Sequence, residues 1–233
     1  MMKAIEIKNL GKKYIISHEK EAMVRHILSK FLSIKNYEEF WALRDINLEI
    51  NKGECLGIIG RNGAGKTTLL NLLAGITFPT QGLIKTNGRI SAILGLGAGF
   101  HPELTGIENI YLNASLLGLK TRVIKERLQE IVAFAELANF IDAPLKTCSA
   151  GMLLRLGFAI AVNVDFDILL IDEMLSVGDR AFQHKCIQKL KEFRNRGKTL
   201  VMVSQSTALL RDLADTVILL QQGRSVFQGE PRQ

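Results

Sequence analysis

The stretch from Gly60 to Thr68 reads Gly-Arg-Asn-Gly-Ala-Gly-Lys-Thr-Thr, and it fits the pattern G-x-x-x-x-G-K-[ST] without a mismatch. Glycines let backbone N–H groups turn inward to form a concave anion site, and a helix N-terminus adds partial positive charge. Lys66 can then reach the β- and γ-phosphates of a nucleoside triphosphate, while the Thr67 hydroxyl can ligate Mg²⁺. The predicted nucleotide-binding residues of this loop are Gly60, Asn62, Gly63, Ala64, Gly65, Lys66, Thr67 and Thr68.

The sequence on both sides of this loop supplies the elements that must position it. The apolar run Cys55 to Ile59 predicts a buried parallel strand, and Thr68 to Ala74 predicts a helix that Gly75 ends. Strand, loop and helix in this order are the context that the motif requires. The order therefore favours a triphosphate site over a chance glycine-rich turn.

Two acids, Asp172 and Glu173, follow the continuous apolar run Ile168 to Ile171. An acid at the carboxyl end of a central parallel strand points into the crevice where ligands bind in such sheets. Asp172 is suited to hold Mg²⁺ through water, and Glu173 is suited to polarise an attacking water. Either acid alone is more often a solvated loop residue, but the phosphate loop in the same chain favours a hydrolytic site.

The first part of the chain predicts mainly strands around the phosphate loop. Ala4 to Leu10 alternates apolar and polar residues, as a half-exposed strand does, and Trp41 to Ile50 resumes that pattern. Asn87-Gly88 predicts a hairpin that joins two short strands. Between the first two strands, Ser17 to Phe40 carries apolar residues at helical spacing with basic residues on its other faces. We expect an amphipathic helix there (about residues 17–40), packed either on its own domain or at a membrane-facing interface.

The second part of the chain alternates helices with strands. A capping box, Thr105 to Glu108, opens a helical stretch that runs with breaks to about Phe140. The next predicted elements are helices at Ala150–Ala161 and Arg180–Arg194, with strands at Leu200–Val203 and Val217–Leu220. This order predicts an α/β core with a helical insertion.

Composition limits the classes of protein that remain. The 233 residues are 47% hydrophobic and 23% charged, as in ordinary globular proteins. The longest apolar run, Leu153 to Val164, is interrupted by Arg155 and Asn163 and is too short to span a bilayer. No signal peptide pattern follows Lys3, and three cysteines without metal-ligand spacing suit a reducing compartment, so we expect a cytosolic location. The net charge of +7 comes from scattered residues and favours a solvated surface, although it permits contact with nucleic acid or anionic lipid.

With these motifs, essentially the whole chain resembles the nucleotide-binding subunits of ABC (ATP-binding cassette) transporters. Cys148-Ser149-Ala150-Gly151-Met152 stands where the family has its LSGGQ signature, and Ser149 and Gly151 match it. In the family this helix start contacts the γ-phosphate that the other subunit holds, a role that Ser149 fits as an N-cap. The resemblance implies a single ABC ATPase domain over residues 1–233. It comprises a P-loop (RecA-like) core (about 1–94 and 164–233) with an antiparallel β-subdomain, and an inserted α-helical subdomain (about 95–163).

The resemblance also assigns roles outside the phosphate loop. Tyr14 falls where the family stacks an aromatic ring on adenine, although it also fits a surface aromatic beside a strand. Ser176, Gly178 and Asp179 fall at the D-loop, where subunits touch across the site. Gln205, after Val201 to Ser204, occupies the place of the switch histidine, and the sequence leaves open whether this glutamine is natural or engineered. Gly95-Leu96-Gly97 stands near the Q-loop glutamine, so no metal ligand is assigned there, and the predicted Mg²⁺ ligands are Thr67 and Asp172.

Three segments are similar in sequence to the ATPases of exporters of bacterial surface polysaccharides, namely O-antigen, capsule and teichoic acid. They are Phe100 to Gly106, Ser149 to Met152 and Ser176 to Asp179. The resemblance implies ATP and Mg²⁺ as cofactors, a head-to-tail homodimer and an integral membrane permease that handles the polysaccharide or glycolipid. It also implies a peripheral position on the cytoplasmic side of the bacterial inner membrane. Some such exporters carry a carbohydrate-binding domain after the motor, and a chain ending at Gln233 either lacks one or has been shortened.

Two other classes of function compete with the transport motor. A soluble cassette ATPase acting on nucleic acid or ribosomes is the main alternative. Members of that class carry long coiled coils, zinc-binding cysteines or tandem cassettes, and the sequence has one cassette and neither of the other features, so no nucleic-acid partner is expected. A P-loop kinase is a third possibility, but it leaves the Ser149–Gly151 segment without a role.

Overall fold

The computed structural model describes residues 2–17, 37–94, 99–172 and 179–231. The strands in these ranges are β1 (Lys3–Ser17), β2 (Tyr37–Asn51), β3 (Cys55–Gly60), β4 (Gln81–Thr86), β5 (Ile90–Ile93), β6 (Ile168–Ile171), β7 (Thr199–Val203), β8 (Thr216–Gln221) and β9 (Arg224–Gly229). The helices are α1 (Lys66–Leu73), α2 (Gly106–Leu116), α3 (Thr121–Ala135), α4 (Ala150–Val162), α5 (Arg180–Asn195) and α6 (Thr207–Leu213), with a short 3₁₀ turn at Leu145–Thr147.

The central sheet has the strand order β5-β6-β7-β3-β8-β9, and its first five strands are parallel. β6 and β7 are buried at every position, as continuous apolar runs covered on both faces should be. β3 lies between β7 and β8, so the loop that follows it opens at the middle of the sheet's carboxyl edge. This confirms the predicted parallel core.

A second sheet, with the order β2-β1-β4, is antiparallel. Its inward residues alternate along each strand, as at Ile46, Leu48 and Ile50 of β2. They pack with α1 and one face of the central sheet in a single apolar cluster. The predicted fold class, an α/β P-loop core with an antiparallel β-subdomain and an inserted helical part, is confirmed.

The predicted hairpin at Asn87-Gly88 is wrong. β4 pairs with β1 in the antiparallel sheet, whereas β5 pairs with β6 in the central sheet, so the turn carries the chain from one sheet to the other. The Asn87 amide donates to the carbonyl oxygen of Lys3 at 2.9 Å, which ties the crossing to β1. The sequence also missed β9, which follows a tight turn at Gln222-Gly223, where both residues have positive φ.

The predicted helix at about residues 17–40 is wrong at both ends. Ser17 ends β1, and residues 37–40 begin β2, because the two strands stay paired out to Ser17 and Tyr37. The register places Tyr14 opposite Phe40, and aromatic residues favour strand pairing. The rest of that prediction, residues 18–36, lies outside the described residues.

The helical part of the chain has a core of its own. The capping box at Thr105 and Glu108 is present and starts α2, as predicted. Residues of α2, α3 and α4 pack in one apolar cluster, which includes Ile110, Ile131 and Leu156. Across the described ranges, no helix is both long and apolar enough to cross a bilayer.

Candidate active site

The phosphate loop is held by backbone from two neighbouring elements. A Cβ atom added at Gly60 would lie 2.5 Å from the carbonyl oxygen of Leu220 in β8, so this position has no room for a side chain. Gly65 has φ +103°, and a Cβ there would lie 2.6 Å from the carbonyl oxygen of Ala42 in β2. Both glycines are therefore required by the close approach of β8 and β2.

The loop presents backbone N–H groups that fit an anion. The amides of Gly63, Gly65, Thr67 and Thr68 have no backbone acceptor within the part of the chain that the structure describes. Gly63 has φ +78°, and apart from Gly63 itself and its chain neighbours no atom of the described residues lies within 4 Å of where its Cβ would be, so this side of the loop is open. Since α1 begins at Lys66, its N-terminal partial charge adds to the same site. The loop therefore fits a polyphosphate.

Lys66 lies inside the loop that it starts from. Its side chain is buried, and its Nζ atom donates to the carbonyl oxygens of Gly60 and Arg61 at 2.8 and 3.2 Å. A buried ammonium needs hydrogen-bond acceptors or anions around it. The Lys66 ammonium, which the sequence predicted to contact the β- and γ-phosphates, therefore already lies within the loop.

Thr67 and Asp172 meet at the carboxyl edge of the sheet. The Thr67 Oγ1 atom donates to Asp172 Oδ2 at 3.2 Å, and the Asp172 N–H donates to the carbonyl oxygen of Ile93 at 3.1 Å. Hydroxyl and carboxylate oxygens are ligands that Mg²⁺ prefers. Among the described residues, no group of three or more His, Cys, Asp or Glu side chains could hold a metal alone. A Mg²⁺ ion here would need phosphate oxygens and water for its remaining ligands.

Gln205 also reaches the loop. It follows β7, the strand beside β3, and its Nε2 atom donates to Asn62 Oδ1 at 3.4 Å. The structure therefore brings together the loop, Asp172 and Gln205 from the ends of three adjacent strands. The sequence placed Asp172 at this edge of the sheet, and the catalytic and metal-binding roles of these residues stay predictions.

Tyr14 lies on β1, where it pairs with Phe40 of β2. Its side chain is exposed, and Lys12 Nζ lies over its ring, 5.1 Å from the centroid. Lys12 Nζ also donates to the carbonyl oxygen of Phe78 at 2.8 Å, which fixes the cation there. One face of the ring is therefore taken, and adenine stacking, which stays a prediction, would use the other face.

The signature segment, Ser149 to Met152, forms the start of α4. Ser149 caps this helix by accepting a hydrogen bond from the Met152 N–H at 3.3 Å. Among the described residues, no hydrogen bond joins Ser149, Ala150, Gly151 or Met152 to the phosphate loop of the same chain. Asp179 caps α5 by accepting from the Phe182 N–H at 2.9 Å. The predicted residues Glu173, Ser176 and Gly178, and the segment Gly95 to Gly97, lie outside the described residues.

Some residues that hold the site were not predicted. The Gly223 N–H, in the turn between β8 and β9, donates to the carbonyl oxygen of Ala64 at 3.1 Å. A Cβ at Gly223 would lie 2.7 Å from the carbonyl oxygen of Ala42, so this turn also packs on β2. The sequence signal was the Gln222-Gly223 pair, which is typical of a tight turn. Arg155, noted in the sequence only as a break in an apolar run, forms ion pairs with Glu136 and Asp179.

Comparisons with known proteins agree with this geometry. The sequence profile of the ABC transporter family matches residues 43–176. The chain is 42% identical to the O-antigen export system ATP-binding protein RfbB of Klebsiella pneumoniae, over 96% of this chain and 92% of that protein. It is 45% identical to the teichoic acids export ATP-binding protein TagH of Lactococcus lactis subsp. lactis, over 85% of this chain but 42% of that protein.

A solved structure is similar in fold. The dimeric, post-hydrolysis state of the ATP-binding cassette MJ0796, bound to ADP and Pi, superposes with a TM-score of 0.79. The superposition covers 98% of this chain and 99% of that one, at 24% sequence identity. The family profile and the relatives above show that the chain belongs to the ABC transporter family.

Proposed function

We propose that this chain is the ATP-binding and ATP-hydrolysing subunit of an exporter for a bacterial surface polysaccharide. The observation that carries the ATPase assignment is the contact of Thr67 with Asp172 beneath the open N–H groups of the glycine loop. The polysaccharide assignment rests on the relatives, whose names describe O-antigen and teichoic acid export. The exported glycan would be an O-antigen, a capsule polysaccharide or a teichoic acid.

ATP binding follows from the residues of the loop. The amides of Gly63, Gly65, Thr67 and Thr68 would hold phosphate oxygens, and Lys66 would exchange its two carbonyl partners for the β- and γ-phosphates. Thr67 and Asp172 would hold Mg²⁺, Asp172 partly through water, and the ion supplies charge neutralisation for the transferred phosphoryl group. Glu173 would polarise the attacking water, and Gln205 would orient it from the side of β7.

A head-to-tail dimer would complete each site. The capped start of α4 would be a second helix end that binds phosphate. No described hydrogen bond connects it to the loop of its own chain. One nucleotide rarely needs two helix N-termini from the same chain. The N-terminus of α4, capped by Ser149, is therefore available to the nucleotide of a second copy. The dimeric state of the similar cassette supports this arrangement.

An apolar groove on the helical side is where we place the membrane permease. A cavity of about 460 Å³ opens between α2, α4 and β5, lined by apolar residues that include Leu94, Phe100 and Leu153. At its edge, Ile76 and Leu116 expose 65% and 71% of their surfaces. A groove of this kind accepts an apolar helical segment of a partner protein. The names of the relatives, which describe one component of an export system, favour a permease segment as that occupant.

ATP hydrolysis by the purified chain tests the first part of the proposal. We expect Mg²⁺-dependent release of phosphate that Lys66→Ala reduces at least ~100-fold, because the cation at the phosphates is lost. Lys191→Ala is the matched control, since Lys191 pairs with Asp212 at 2.6 Å between α5 and α6, away from the loop. A Lys66→Ala variant that hydrolyses ATP as fast as the control would remove the proposed ATPase site.

Co-fractionation tests the permease partner. Expressed with the membrane subunit of a polysaccharide exporter, the chain should sediment with membranes, and without that subunit it should stay in the supernatant. Leu116→Asp should reduce membrane recovery several-fold, because a charge at the groove opposes apolar docking. Val226→Asp is the control, because Val226 is also exposed but lies on β9. Recovery with ribosomes or DNA, independent of the membrane subunit, would favour the nucleic-acid class instead.

A further inference from the structure

Glu136 is a hub for two cations from different helices. It follows α3 as its C-cap, in a left-handed conformation with φ +59°. Its Oε1 atom accepts from Lys185 Nζ at 2.9 Å, and its Oε2 atom accepts from Arg155 Nη1 at 2.9 Å. The hydrogen bond from Lys185, and the charge of Arg155 in addition, hold the pKa of the Glu136 carboxyl below its usual value. This acid is therefore charged at neutral pH.

Arg155 extends this contact to a second acid. While its Nη1 atom donates to Glu136, its Nη2 atom donates to Asp179, the residue that caps α5. The hydrogen bond from the Phe182 N–H, and the Arg155 guanidinium, lower the pKa of Asp179. The four residues therefore form a chain of alternating charge, in the order Lys185, Glu136, Arg155 and Asp179.

Three aromatic rings lie beneath this ionic chain. Phe134, Phe158 and Phe182 pack with centroid distances of 5.8 to 6.3 Å, one ring from each of α3, α4 and α5. The Arg155 guanidinium lies 4.9 Å from the Phe182 ring, and Lys185 Nζ lies 4.8 Å from the Phe134 ring. We call the four charged residues and the three rings the α3–α4–α5 junction. Its rings and charges together fix how the three helices meet.

The junction connects the two helix starts that would face a second copy of the chain. Arg155 lies in α4, which begins after Ser149, and Asp179 lies at the start of α5. An exposed ion pair contributes little by itself. Arg155, however, is only 20% exposed and binds two acids at once, so the orientation of its planar guanidinium depends on both.

We propose that Glu136 is a positioning residue that aims Arg155 at Asp179 and so fixes the start of α4 relative to the start of α5. Without its carboxylate, Arg155 and Lys185 lose the acid between them, and of the two described acid partners Arg155 keeps Asp179. The two helix starts would then present themselves to the second copy in a wider range of orientations. This inference rests on the proposed function, because it concerns closure of the ATP-bound dimer.

Dimer affinity in a hydrolysis-deficient background tests this role. Every variant carries Glu173→Gln, and the dimer dissociation constant is measured by analytical ultracentrifugation at saturating Mg-ATP. Glu136→Gln should raise this constant at least about fivefold, the lower end of typical coupling between sites. The affinity of the monomer for ATP should not change, because the hydrogen bonds and ion pairs of the junction join α3, α4 and α5 and not the phosphate loop. A shift in dimer affinity at constant nucleotide affinity separates positioning from a general loss of structure.

Glu126→Gln is the matched control. Glu126 also forms an ion pair with a cation, Arg122, at 3.1 Å, but both residues lie on one helix, α3, outside the junction. The difference between the two variants should shrink in 1 M NaCl, because salt screens the charges of the junction. Glu136→Asp keeps the charge on a shorter side chain, and its dimer dissociation constant should fall between those of Glu136→Gln and the control. Glu136→Asp replaces Glu136→Gln if the latter unfolds at a lower urea concentration than the Glu173→Gln parent.

Two results would count against different claims. Equal dimer affinities for Glu136→Gln and Glu126→Gln, or for Glu136→Asp and Glu126→Gln where Asp is the variant used, would overturn the positioning role of Glu136. If the Glu173→Gln parent itself stays monomeric at saturating Mg-ATP, the proposed ATP-bound dimer fails, and the inference fails with it. The parent measurement therefore identifies which of the two is wrong.

Discussion

The hydroxyl of Thr67 donates to the carboxylate of Asp172 across 3.2 Å, although the two residues are 105 positions apart in the chain. The contact exists because β3 and β6 are parallel strands of one sheet, with one strand, β7, between them. Both side chains therefore emerge at the same edge, where the helix α1 also begins. Thr67 and Asp172 would each supply an oxygen ligand to a divalent ion, which neutralises phosphate charge.

This contact predicts that Asp172 is needed to bind Mg²⁺ and is not needed to bind the nucleotide itself. Asp172→Asn keeps the size of the side chain and an acceptor for Thr67, but it removes the charge that attracts Mg²⁺. We expect Mg²⁺-supported hydrolysis to fall ~100-fold or more, with ATP affinity in EDTA unchanged. Asp165→Asn, which removes an exposed partner of Arg127 at 3.0 Å, should leave both quantities as they are. Equal Mg²⁺ titrations for the two variants would exclude Asp172 as a ligand.

The features that the sequence predicted well are those decided by neighbouring residues. The phosphate loop, the capping box at Thr105 and the N-cap at Ser149 each depend on a few adjacent positions. The place of Asp172 followed from the buried run before it, because a run without polar positions implies a strand covered on both faces.

Features decided by distant partners were missed. The turn at Asn87-Gly88 has the composition of a hairpin, but pairing of β5 with β6, far along the chain, decides where the next strand goes. Likewise, nothing near Arg155 indicates its two acids, which lie 19 and 24 positions away on other helices. A charge within an apolar helix was the available signal. It shows that a partner is required and leaves that partner unidentified.

A natural cysteine can report on formation of the dimer. Cys148 is half-buried and immediately precedes Ser149, at the helix start that we place against the nucleotide of the second copy. In a Glu173→Gln chain, saturating Mg-ATP should slow maleimide labelling of Cys148 several-fold, because a closed dimer covers it. The variant Lys66→Ala/Glu173→Gln should show no such protection. Protection that does not depend on protein concentration would contradict the dimer and point to a change within one chain.

The other two cysteines should be inert in the folded chain. Burial raises the pKa of the Cys55 and Cys186 thiols to about 12 each, because desolvation disfavours the thiolate. The thiolate is the reactive form, so at pH 8 only about one thiol in 10⁴ at these positions would be ionised. Ellman's reagent should therefore titrate at most one thiol quickly in native protein, and all three in denaturant. Fast reaction of two or more native thiols would show that this core opens readily.

Gln205 supplies the last prediction. Its amide donates to Asn62 across 3.4 Å, so the side chain already lies against the phosphate loop. Glutamine can donate an N–H to the γ-phosphate, and ATP binding should therefore be strong. It does not take up a proton, and its flexible amide holds a water less firmly than an imidazole does. A positioned proton-handling group typically changes a rate ~10²-fold. We expect a chain that binds ATP well and turns it over slowly.

The substitution Gln205→His measures this effect directly. A histidine at the end of β7 could contact the phosphate, orient the water with Glu173 and carry positive charge as negative charge shifts in the transition state. Its ATPase rate should exceed that of the parent at least about tenfold, with little change in ATP affinity. Equal rates for the two forms would mean that Glu173 suffices, and position 205 would then act only in holding Asn62 and the loop.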